Sequence, residues 1–155
     1  MKPSAASQKI VNSIATNCLS VRLRLMNRMV GAIYDEALRP HSIKASQLNI
    51  LVTVSAFGRV TSQQLCQVLH MDPSTFSRAV TRLKKTRWLQ VEPSGEGKIL
   101  KIEVTQKGFK KIEQVYPDWQ KAQAKAEEVL GESTSEMLIA SGNKHLLGGM
   151  TRYKI

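Results

Sequence analysis

Several things are scarce in this chain of 155 residues, and each scarcity excludes something. There are only two cysteines, Cys18 and Cys66, too few and too irregularly placed for a disulfide framework. A reduced, cytoplasmic setting is therefore expected. No long apolar run is present: the N-terminus has Lys2 and Lys9, but Asn12, Ser13, Thr16 and Asn17 interrupt its hydrophobic residues. Neither a signal peptide nor a membrane span is expected. The three histidines, His41, His70 and His145, are the only bases near neutral pH, and none neighbours a Ser or Cys in a nucleophile motif. There is no phosphate-binding glycine loop and no paired-carboxylate constellation, since Glu127 and Glu128 read as one solvated helix face. The chain is thus expected not to be an enzyme and to need no cofactor. Internal repeats and low-complexity tracts are also missing.

Carboxylates are scarce as well, 12 against 23 Lys and Arg, for a net charge of +11. The distribution says more than the total. Residues 1–58 hold seven cations and two carboxylates, 59–111 hold eleven and four, and 112–155 hold five and six. The positive charge thus concentrates in the middle segment and the helix before it, a field that attracts polyanions and speeds their association. A length of 155 residues suits one domain with a buried core.

Within that basic segment the organising stretch is 71–85, MDPSTFSRAVTRLKK. Asp72 suits an N-cap and Pro73 the first helical position. Phe76, Ala79, Val80 and Leu83 recur at helical spacing and want a core. On or near the opposite face fall Ser74, Arg78, Thr81, Arg82 and Lys85, with Thr75 and Ser77 beside them. That face has cations and hydroxyls but no carboxylate, whereas a solvated helix face usually mixes both signs. Cations and short hydroxyl side chains suit a phosphate-lined groove and base edges. The segment reads as a DNA recognition helix.

The flanks agree with that reading. Residues 61–69, TSQQLCQVL, form a short helix capped by Thr61, with Leu65, Val68 and Leu69 apolar, and the turn 70–72 is as short as a helix-turn-helix needs. Residues 88–92 and 99–104 are strand-like and joined by PSGEGK. A hairpin with Lys98 and Lys101 near its tip makes the unit a winged helix whose cations reach a minor groove or flanking phosphate. Arg59–Val60 adds a short strand.

The outer segments read as helices. Residues 1–7 look frayed, and 8–38 read as one long helix striped by Ile10, Ile14, Cys18, Val21, Leu25 and Met29, ended by Pro40. Residues 44–57 form a helix capped by Ser42 or a neighbour, with Leu48, Leu51, Val52 and Ser55 inward and Gly58 as its stop. Thr105 caps a helix from Gln106 whose apolar side includes Phe109, Ile112, Val115 or Tyr116, and Trp119. Pro117 predicts a kink in that helix rather than a stop, and Gly131 ends it. STSE at 133–136 is a capping-box pattern for a last helix. A domain of this size has no evident core for three long stripes, so a twofold copy is expected to cover them and to bring a second recognition helix. The fold expected is mainly α with a small β-wing: one domain, with helical dimerisation regions at 8–38 and 106–152 around a winged helix-turn-helix at 44–105.

The ordered set SQLNILVTVSAFG, LCQVLHMDPSTFSRAVTRLKK, VTQKG and YPDWQKAQ resembles the MarR-type (multiple antibiotic resistance) transcriptional regulators. The matching positions are Gln47, Ser77–Arg78, Thr105 with Gly108, and Pro117, Trp119, Ala122 and Gln123. The similarity runs from about Cys18 to Gly131. Two positions depart from the pattern. Glu96-Gly97-Lys98 stands where the family's wing has Asp-x-Arg, which loses the Arg fork, and Arg87–Trp88 replaces the usual Gly after the recognition helix. The resemblance implies a homodimer on a pseudo-palindromic operator in double-stranded DNA, usually a repressor, working in the cytoplasm on a bacterial or archaeal nucleoid. It also implies release by a small phenolic ligand or by cysteine oxidation, with an effector pocket between the dimer helices and the winged helix.

Cys18 is the candidate redox sensor, set against its place on the apolar stripe with Ile14, Val21 and Leu25, where a free Cys acts as a small hydrophobe. Cys66 and His70 stand four apart, a spacing that permits a shared metal, but no second pair accompanies them, and no metal is expected. Trp88 and Trp119 read as core or interface anchors. The alternative function is a nonspecific nucleic-acid-binding or chromosome-architecture protein, which charge alone permits.

Overall fold

A computed structural model describes residues 3–94 and 100–152. Among these residues seven helices, three strands and a short 3-10 turn follow in order: α1 (Ala5–Asn17), α2 (Leu19–Leu38), the 3-10 turn Arg39–His41, α3 (Ala45–Phe57), β1 (Val60–Thr61), α4 (Ser62–Val68), α5 (Pro73–Lys85), β2 (Leu89–Pro93), β3 (Leu100–Val104), α6 (Gln106–Leu130) and α7 (Glu132–Arg152). The three strands form an antiparallel sheet in the order β1-β3-β2, with Val60 and Val91 on either side of Ile102. This is a winged helix between outer helices, mostly α with a small sheet.

The middle of the chain builds the core. Leu51, Val54, Val60, Leu65, Phe76, Leu83, Trp88 and Ile102 are buried together, and Val115 of α6 joins them. Local chemistry sets each boundary. Thr61 and Gln64 exchange bonds at the start of α4: the Gln64 N–H donates to Thr61 Oγ1 at 3.2 Å and the Thr61 N–H to Gln64 Oε1 at 2.9 Å. Helices α4 and α5 both end in the same device. The Met71 and His70 N–H groups donate to the Cys66 and Gln67 carbonyls, and those of Trp88 and Arg87 to Leu83 and Lys84. Each needs a left-handed residue after the cap, and His70 (φ 48°) and Arg87 (φ 62°) supply it. Arg87 thus takes the conformation that the missing glycine would have taken, and the strand follows normally.

Four sequence expectations need correction. First, the N-terminal helix starts at Ala5, capped by Ser4, and breaks at Cys18 (ψ 107°) rather than running unbroken from 8 to 38. The break orphans the Ala15 carbonyl, which accepts from the Arg22 guanidinium instead, while the Asn17 amide donates to the Ser13 carbonyl. Ser, Thr and Asn near the break compete with the helix for its own backbone groups. Second, Val52 is exposed. Helix α3 buries Leu48 and Leu51 on one side and Ile50, Val54 and Phe57 on another, leaving Asn49, Val52 and Ala56 as its outer stripe.

Third, α3 is capped by neither Ser42 nor its own side chains alone. The Asp35 carboxylate of α2 accepts from the Ala45 N–H at 2.8 Å, and Gln47 Oε1 accepts from Lys44 N–H at 3.0 Å. Fourth, α7 begins at Glu132, so Ser133 lies inside its first turn. Gly131 (φ 81°) makes the corner, and its carbonyl accepts from both the N–H and the hydroxyl of Ser135. Helix α6 runs through Pro117 to Leu130. Phe109 and Tyr116 lie exposed on it, Tyr116 stacked on Trp119 with ring centroids 5.8 Å apart.

Candidate nucleic-acid interface

Helix α5 is held by its inner face and presents its outer one. Phe76, Val80 and Leu83 are buried. Ser74, Thr75, Ser77, Arg78, Thr81, Arg82 and Lys85 are all exposed, as is Lys84 of the last turn, which the face assignment had left out although the RLKK run contains it. Among the described residues no carboxylate forms an ion pair with Arg78, Arg82, Lys84 or Lys85, so their charge faces solvent.

Asp72 sets the helix start. Its Oδ1 accepts from the Ser74 N–H at 2.9 Å, the Thr75 N–H at 3.2 Å and the Ser74 hydroxyl at 2.6 Å. The Ser74 hydroxyl, followed by the two backbone N–H groups, holds the Asp72 carboxyl below its ordinary value, and Arg78 adds a smaller pull. These bonds divide the hydroxyls of the face. Ser74 spends its hydrogen on Asp72, and the Thr81 hydroxyl spends its own on the Ser77 carbonyl at 2.8 Å. The Thr75 and Ser77 hydroxyls have no hydrogen-bond partner among the described residues.

Lys101 is half-buried as the second residue of β3, opposite Thr61 and Glu92 in the register. Lys98 lies outside the described residues, as do Glu96 and Gly97. Arg59, not singled out from sequence, bridges the sheet: its guanidinium meets Glu92 at 3.1 Å and Glu103 at 3.1 Å. Arg59 is thereby engaged within the sheet, whereas Arg78, Arg82, Lys84 and Lys85 of α5 have no ion-pair partner among the described residues.

Helix α6 is tied to the back of this unit. The Thr105 hydroxyl donates to the Arg87 carbonyl at 2.7 Å and accepts from the Gly108 N–H at 3.0 Å. His41 Nε2 lies 2.8 Å from Asp118 Oδ2, and Lys111 Nζ donates to the His41 carbonyl while lying 5.2 Å from the centre of the Trp88 ring. Bonds from Lys121 and then His41 hold the Asp118 carboxyl below its ordinary value. The two tryptophans are anchors of this join: Trp88 is buried and Trp119 packs against the core.

The cysteines stand apart. Cys66 packs against the core, where burial and then the Asp72 charge push its thiol above the ordinary value, which disfavours the thiolate. His70 sits beyond the helix end in its left-handed turn, exposed. Cys18 is half-buried at the break between α1 and α2, and its stripe neighbours Ile14, Val21 and Leu25 are exposed, so no core among the described residues encloses it. No helix of the described residues is long and apolar enough to cross a membrane.

Residues 41–98 match the model of the MarR family. A curated relative, an uncharacterised HTH-type transcriptional regulator YwoH of Bacillus subtilis (strain 168), is 28% identical over 89 residues, 57% of this chain and 64% of that one. The match thus spans less than two thirds of that relative's length. Among solved structures, a mutant of MarR from E. coli complexed with operator DNA is similar with a TM-score of 0.72 at 20% identity, covering 86% of this chain and 97% of that one. The M. tuberculosis transcriptional regulator MOSR in complex with DNA gives 0.70 at 23% identity, covering 81% and 94%. The chain is thus similar to the MarR family's model over residues 41–98, and its fold, a winged helix between outer helices, is that of the solved MarR structures.

Proposed function

We propose that this chain is a homodimeric, sequence-specific DNA-binding regulator of transcription. It acts as a repressor on a pseudo-palindromic operator in the cytoplasm, and a small ligand or oxidation of Cys18 releases it. The observation that carries the reading is the outer face of α5: hydroxyls and cations without an opposing carboxylate, on a helix seated by Phe76, Val80 and Leu83. Arg78, Arg82 and Lys85 would meet phosphates or guanine edges, with Thr75 and Ser77 beside them, and Lys98 and Lys101 would follow the flanking backbone.

Dimerisation is supported by what one copy leaves uncovered. Ile10 and Ile14 are each 60% exposed, Leu25 57% and Met137 62%, all on the outer helices α1, α2 and α7. Exposed apolar side chains concentrated on one region mark an interaction surface. A twofold pair would also present two α5 helices to half-sites about one helical turn apart.

The net charge of +11 supports one other reading, an architectural protein that binds every duplex alike. Selection from randomised duplex DNA, followed by salt titration of the winners, separates the two. An inverted repeat bound far more tightly than random duplex is the expected outcome. No motif, with a steep salt slope on every duplex, would give the architectural reading its place.

A further inference from the structure

Helix α6 opens with a second face of one sign. Lys107, Lys110, Lys111 and Gln114 stand at positions i, i+3, i+4 and i+7, on one side of the helix. No carboxylate falls between Gln106 and Ile112. Like charges at this spacing destabilise a helix, and among the described residues neither Lys107 nor Lys110 has an ion-pair partner to offset it. These four side chains line a groove of about 690 Å³. That is within the range of small-molecule sites, roughly 300–1,000 Å³. The turn 40–42 and, from the winged helix, Thr86 and Trp88 complete the lining. Lys111 Nζ crosses the groove's elements: it donates to the His41 carbonyl at 3.2 Å and lies over the Trp88 ring. A guest here therefore bears on the join between the winged helix and α6.

We propose that this groove binds a small organic phosphate carrying two or more negative charges, with Lys107 and Lys110 pairing the phosphate oxygens as point charges. Three ammonium groups line it, and no carboxylate does among the described residues. Asp118, beside His41, is already engaged by His41 and by Lys121 at 2.8 Å. The lining offers little to a ring. Pro40 and Trp88 are its apolar members, and Trp88 is buried with Lys111 over it. It offers more to hydroxyls, since the side chains of Ser42 and Gln114 have no hydrogen-bond partner among the described residues. The groove is also separate from the surfaces assigned above. No residue of α5 from Ser74 to Lys85 lines it. Trp88 precedes β2 and the wing tip follows it, so five strand residues at about 3.3 Å each place the groove roughly 16 Å from the tip. None of the exposed apolar residues of α1, α2 and α7 lines it, so it shares no residue with the surface on which dimerisation is proposed.

Binding depends on the groove alone; a consequence for DNA rests on the ligand-released regulator reading. The test is calorimetric titration of the full chain with inorganic pyrophosphate at constant ionic strength, and with benzoate as an aromatic anion. Pyrophosphate should bind once per chain, at least tenfold more tightly than benzoate. The double variant Lys107→Gln/Lys110→Gln should weaken it at least tenfold. Lys84→Gln/Lys85→Gln, which removes the same charge from α5, should change it less than twofold. All four lysines are exposed, so both variants keep the fold, which thermal unfolding checks. Absence of pyrophosphate binding overturns the proposal. So does equal affinity for benzoate, or an equal loss in the two double variants, which would mean a diffuse field rather than a site. If the groove instead held a DNA backbone, Lys107→Gln/Lys110→Gln would lower the slope of log duplex affinity against log salt by about 1.8. That result also overturns the proposal, and an unmoved slope supports it. Duplex selection on the same sample separates the two readings: pyrophosphate binding without sequence preference sinks only the regulator, and operator binding without pyrophosphate binding sinks only the site.

Discussion

A β-carbon on Gly108 would overlap the carbonyl oxygen of Trp88, and would stand 2.7 Å from the Val104 side chain. The same carbonyl accepts the Thr105 N–H at 3.1 Å, so the first turn of α6 is pressed directly against the strand that leaves α5. Glycine is needed here for closeness rather than for an unusual backbone angle. Gly108→Ala should cost about 1–3 kcal/mol by overpacking, against a smaller gain in helix propensity. Thermal unfolding is the measurement, and an unchanged midpoint would mean that α6 can retreat freely.

Arg87 makes the opposite case. It holds φ 62° in the turn after α5, where a β-carbon is unfavourable by about 1–2 kcal/mol. Arg87→Gly should therefore raise stability by up to about 1 kcal/mol, or about 2–4 °C for a chain of this size. A lower midpoint would show that the arginine side chain contributes more than its backbone costs.

The capping carboxylate predicts a pH dependence. The Asp72 carboxyl is held below its ordinary value by the Ser74 hydroxyl and the Ser74 and Thr75 N–H groups. Its folded value lies below its unfolded one, so its stabilisation is complete above the ordinary carboxylate range. It drains away as pH falls through the lowered folded value. Asp72→Asn keeps a capping oxygen without an ionisable group. Wild type and variant should differ in unfolding midpoint at neutral pH and converge in acid. A constant difference at every pH would assign the effect to geometry instead.

How much of this was legible in the sequence varied with range. Helix α5 was readable to the residue, because Asp72-Pro73 opens it and its apolar spacing is unbroken. The winged-helix order was readable because each of its boundaries is made by near neighbours in sequence, as Thr61 with Gln64 and Thr105 with Gly108. What escaped depends on distant partners or on competition between local bonds. The cap of α3 comes from Asp35, ten residues away, and Val52 lies outward because α3 is packed on two sides. The break at Cys18 turns on Asn17 and Arg22 seizing backbone carbonyls, which an apolar stripe does not report. For the interface, the sign of the face was visible, but the commitment of the Ser74 and Thr81 hydroxyls to their own helix was not.

On the DNA side, Arg78 is exposed on α5 without an ion-pair partner among the described residues. Arg78→Ala should weaken the selected operator by about 1–3 kcal/mol, and blur preference at one position if the guanidinium reads a base. Thr81→Ala should matter less, because that hydroxyl's hydrogen already serves the Ser77 carbonyl. Quantitative gel-shift titration on the selected site and single-base variants decides it. Unchanged affinity for Arg78→Ala would rule out docking through this face.

The wing is tested by salt rather than by affinity alone. Arg59 is engaged by Glu92 and Glu103, while Lys101 in the strand has no ion-pair partner among the described residues, and Lys98 lies beyond them. Each lysine that neutralises a phosphate releases a counterion, and its loss lowers the slope of log affinity against log salt by about 0.9. Lys98→Ala should show that decrement on the operator and on random duplex alike, because a phosphate contact carries no sequence information. A loss confined to the operator would mean that Lys98 reads the groove's bases or width. An unmoved slope would mean that the wing stays clear of the backbone, leaving α5 to hold the duplex.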